Sequence, residues 1–145
     1  MGLFSGIKNT FKKSEAAVVI QNMLEELKHM GLFDSDPAKV ANKMVEAAWD
    51  SRPEVFNGTH GERPHKLALA AYSFAYTINK LDRDSQTRAT LQIPFGKLML
   101  ELLKNGKAYP FNELDTILIE GAAGLFHQLM EEMNNDPLMH EGSLP

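Results

Sequence analysis

Two histidines and two carboxylates crowd one stretch of the chain and its margin: Glu54, His60 and Glu62 between Arg52 and Arg63, and His65 just beyond. Imidazole and carboxylate together suit divalent metals, and they are also the common acid–base groups near neutral pH. His60, Glu62 and His65 are therefore one candidate site, that of a small metal-dependent or acid–base enzyme. The competing reading is a solvated loop. Gly58 and Gly61 on either side of His60 impose no rigid spacing, and Pro64 interrupts the Glu62–His65 pair. Connections in helical bundles usually run about 2–8 residues, and longer ones are often functional.

Two Glu-x-x-His pairs, Glu26 with His29 and Glu62 with His65, have the spacing used by di-iron carboxylate bundles. Such ligands project inward from mid-helix. Here one pair falls at the polar edge of a helix end and the other at a helix start, so no metal and no cofactor is expected. Glu120, His127 and Glu131 can share one helical face, but one helix makes an incomplete metal site. Asp82-Arg83-Asp84 opens like a calcium loop and then fails it, with Thr87 where glycine belongs and Ile93 where the closing glutamate belongs. Nucleophile elbow, phosphate-cradling loop and dinucleotide fingerprint are all missing from the sequence. The chain contains no cysteine, which excludes disulfides, thiolate ligands and a cysteine nucleophile.

A different chemistry is written near residue 1. At about 100° per residue, Leu3, Phe4, Ile7 and Phe11 fall in one quadrant, while Lys8, Asn9, Lys12 and Lys13 lie away from it. Apolar side chains to insert and cations for anionic headgroups are what an interfacial anchor needs. The candidate binding set is thus Leu3, Phe4, Ile7, Lys8, Phe11 and Lys12, with packing on the chain's own core as the alternative. Myristoylation is disfavoured by Gly6, which stands where serine or threonine is wanted. Towards the other end Met130, Met133 and Met139 cluster, and Met-rich surfaces adapt to partners. Met133 and Met139 join the binding candidates.

The formal charge is −4, and lysine and arginine stripe no helix beyond the first, which argues against nucleic acid as a partner. The longest uncharged apolar run, Leu67 to Asn79, is too short to span a bilayer. No secretory signal pattern is present. The expected location is cytoplasmic, with membrane association through the first helix left open.

Helical periodicity must position all of these residues, and no alternating strand pattern competes with it. The expectation is an all-α, single-domain bundle of five to six helices over 1–134, with a flexible tail at 135–145. A short amphipathic helix over 1–13, detachable from the rest, precedes one capped by Ser14 and running from Glu15 to Met30. Asp36-Pro37 starts the next, which ends before Pro53. Residues Arg52 to Arg63 carry no helical stripe. A helix over about 64–81, apolar nearly all round, belongs at the centre. A fifth helix follows Ser85 to Asn105, with a kink or break at Pro94, and the last runs from Asn112 to about Asn134. Together these features favour a non-catalytic binding module or adaptor, whose partner is another protein or a membrane surface. Oligomeric state stays open, with a homodimer compatible.

Overall fold

A computed structural model describes residues 2–58, 61–106 and 110–134, with side chains from Lys12 onward. Among the described residues there are six helices and no strand: α1 (Gly2–His29), α2 (Pro37–Ser51), α3 (Pro53–Gly58), α4 (Lys66–Lys80), α5 (Gln86–Asn105) and α6 (Glu113–Asn134). The tail at 135–145 lies outside the described residues.

The centre is α4, which packs against α1, α2, α5 and α6. Every residue from Ala68 to Ala75 is buried, including Ser73, whose hydroxyl donates to the Leu69 carbonyl at 2.7 Å. That back-bond satisfies a polar group no solvent can reach. The alanines let neighbouring helices come close, and Leu69, Phe74 and Ile78 fill the space between them. One contiguous apolar cluster joins all six helices.

The ends follow local chemistry. Asp36 accepts from the Ala38 N–H at 3.1 Å and Pro37 opens α2; Ser85 caps α5. Gly31, at φ 76°, ends α1 in the left-handed conformation that glycine adopts without steric cost.

Four expectations are corrected. Ser14 does not divide the first stretch: α1 is one helix of 28 residues. No proline or glycine follows Gly6 before Gly31, and a mid-helix serine costs only about 0.5 kcal/mol, so nothing breaks the ladder. Pro94 does not divide α5, which is helical on both sides of it. The ring removes the donor that would reach the Thr90 carbonyl, but Pro94 and its neighbours Leu91, Phe95 and Leu98 are buried and hold the helix together. The stretch Arg52 to Arg63 holds a short helix, α3, opened by Pro53 and anchored by Phe56, which stacks on Trp49 at 4.3 Å. Finally, helical periodicity places Met30, Leu103 and Met130 on inward stripes, yet all three are exposed. Each sits about 90–110° round from the middle of its helix's buried stripe.

Candidate functional site

The histidine loop is tied to the start of α6. The Glu62 carboxylate accepts from the Leu114 N–H at 3.0 Å. The His65 backbone N–H donates to Asp115 Oδ1 at 2.5 Å, and its Nδ1 accepts from the Leu67 N–H at 3.2 Å, capping α4. Asp115, only 3% exposed, also accepts from the Asn112 N–H at 3.2 Å, while Asn112 Oδ1 accepts from the Asp115 N–H at 2.7 Å. That reciprocal pair is a capping box. Asn112 Nδ2 reaches back to the Arg63 carbonyl at 2.8 Å. The helix-start N–H groups of α4 and α6 would otherwise have no acceptor, and these side chains supply one. Glu62 and His65 are thus brought together as helix caps. His60 lies outside the described residues. Among the described residues no three histidine, aspartate or glutamate side chains gather as metal ligands would.

His127 and Glu131 pair at 3.1 Å on an open face of α6, both strongly exposed. Met133 is 44% exposed on the last turn of the same helix, and Met139 lies outside the described residues.

The other candidate lies on α1. The backbone of Leu3, Phe4, Ile7, Lys8 and Phe11 belongs to this helix; their side chains lie outside the described residues. Buried Ala16, Ala17, Ile20, Leu24 and Leu27 fix which side of α1 faces the bundle. They occupy an arc of about 100°, and positions 3, 4, 7 and 11 occupy another of similar width. The middles of the two arcs are about 140° apart round the one continuous helix. Carried back towards residue 2, the bundle-facing line meets Gly2, Gly6, Asn9 and Lys13 rather than large apolar residues. On the arc of positions 3, 4, 7 and 11, the described residues further along include Ser14, Val18, Asn22 and Glu25, all exposed, Val18 by 52%, and Gln21, which is half-buried.

The lysines divide between the two sides. Lys13 Nζ sits 4.9 Å from the Trp49 ring centroid and 3.4 Å from Glu46 of α2. Lys12 pairs with Glu15 one turn along at 3.2 Å. Since Lys13 stands opposite Glu46 and Trp49, and α2 ends at Ser51, the first turns of α1 run on past the end of α2. By length α1 spans about 42 Å and α2 about 22 Å.

No protein family, curated protein or solved structure matches this chain. No described helix is long and apolar enough to cross a membrane.

One feature was not visible in the sequence. Between α1 and α5 runs a groove of about 350 Å³, lined by Met23, Leu27, Met30, Ile93 and Pro94 with Glu26, Lys97 and Glu101 at its sides. It arises because both helices lean on α4 rather than on each other. No local pattern in either segment signals it.

Proposed function

We propose that this chain is a non-catalytic helical binding module, or adaptor, of the cytoplasm that docks through the outward face of the first three turns of α1. The observation that carries this reading is the offset between the two apolar arcs of that helix. A helix that placed Leu3, Phe4, Ile7 and Phe11 on its own core would continue the stripe of Ala16, Ile20, Leu24 and Leu27, and it departs from it by more than a third of a turn. Four large apolar residues off the helix line that the buried residues fix are what a docking surface needs. The exposed methionine at position 133 is a second, smaller contact of the same kind.

The roles of Glu62 and His65 support the non-catalytic half of the reading. Glu62 Oε2 and His65 Nδ1 each accept from a helix-start N–H, and the buried polar residues Ser73, Thr90 and Asp115 likewise bond to backbone groups.

The test is retention of cellular material by the tagged full chain and by its Phe4→Glu/Phe11→Glu variant, from soluble and membrane fractions separately. Docking through this face predicts material held by the full chain and released by the variant. Equal retention by both would refute it.

A further inference from the structure

We infer that the surface docked by the outward face of α1 is an anionic lipid bilayer; this rests on the docking face proposed above and names what it meets. The charge distribution selects this occupant. Residues 2–14 hold three lysines and no aspartate or glutamate, whereas the remainder of the chain holds twelve lysines and arginines against nineteen acidic residues. A cationic, apolar-faced helix is thus joined to an acidic body. An anionic surface attracts the first and repels the second, which fixes a single orientation. An acidic groove on another protein would attract the same lysines. It would not call for four large aliphatic and aromatic residues backed by Gly2, Gly6 and Asn9, a composition suited to shallow insertion with a polar back.

The lysines fit the plane of such a surface. By helical register Lys8 stands about 90° and Lys12 about 130° round from the middle of the apolar arc, and long lysine stems can reach headgroups from such positions. Lys12 is half-buried and paired with Glu15, so reaching a lipid phosphate means exchanging that partner. Lys13 is on the bundle side, held by Glu46 and Trp49, and has no part in the contact. Insertion is short: beyond Phe11 the same line of the helix turns to Ser14, then Val18, then Glu25, so only the first turns enter. Those turns also have the weakest intrinsic helix propensity in α1, with two glycines and no acidic residue in the first turn.

The experiment is flotation of the full chain with phosphatidylcholine vesicles, with and without phosphatidylglycerol. Flotation is expected with the anionic vesicles alone and should fall steeply with added salt. Lys8→Glu/Lys12→Glu should lower partitioning by at least about fivefold per lysine, and Phe4→Glu/Phe11→Glu should abolish it. Lys13→Gln should leave it within about twofold, because that lysine faces the body. Emission from Trp49, the one tryptophan and a buried one, reports in each variant that the bundle is intact. Failure to float with anionic vesicles, or flotation indifferent to Phe4→Glu/Phe11→Glu, overturns the inference. If flotation fails while retention of cellular material still depends on Phe4 and Phe11, the lipid is wrong and the docking face stands. If neither depends on them, both fall.

Discussion

Asp115 joins the N-terminus of α4 to that of α6 by accepting from two backbone N–H groups fifty and three residues away. Replacing it with alanine strands both donors, at about 1–3 kcal/mol each. Asp115→Ala is therefore expected to destabilise the protein by about 2–6 kcal/mol, measured by urea denaturation. Glu62→Gln should cost less than about 1 kcal/mol, because the amide oxygen still accepts from the Leu114 N–H. A far larger loss for Glu62→Gln than for Asp115→Ala would contradict the capping roles. The sequence exposes half of this arrangement. Asn112 and Asp115 stand at capping-box spacing, but the partnership of Glu62 and His65 with a helix start some fifty residues on has no local signature. Read locally, an imidazole beside a carboxylate looks like chemistry, and here the two residues serve to finish helices.

At the scale of the element, α1 shows how periodicity can mislead about boundaries while its stripe of Ala16, Ile20, Leu24 and Leu27 is buried. The shift of the apolar arc near Ser14 resembles the start of a second helix. It is one helix that changes which side is apolar, and only the course of the backbone distinguishes the two. The short α3 escapes periodic analysis for another reason: six residues with one buried anchor make no stripe. Within α1 the two sides should respond differently to truncation. Ile20→Ala, at a fully buried position, should cost about 2–5 kcal/mol. Val18→Ala, at an exposed one, should stay within about 0.5 kcal/mol of the unaltered chain. In α6 the paired glycines differ too. A methyl at Gly121 would lie 3.4 Å from the Tyr72 ring, whereas one at Gly124 would meet nothing within 4 Å. Gly124→Ala should accordingly raise stability by about 1 kcal/mol, seen as a higher urea midpoint with unchanged slope. A destabilised Gly124→Ala would mean that the helix cannot accept a side chain there.

For the whole molecule, the all-helical class and the central position of α4 are legible because a helix apolar on nearly every side can only be surrounded. The groove between α1 and α5 is not legible, since it depends on how far apart two helices rest on a third. The charge division, a lysine-bearing end on an acidic body, can be read from sequence, but its meaning needs the orientation of α1. That orientation is the central claim. Urea denaturation of the full chain beside Phe4→Glu/Phe11→Glu tests it most directly, with Trp49 emission as the signal. An outward face predicts stabilities within about 0.5 kcal/mol of each other and equal slopes. A loss of about 6 kcal/mol or more, or failure to fold, is what two buried phenylalanines would give, and it would return that face to the core.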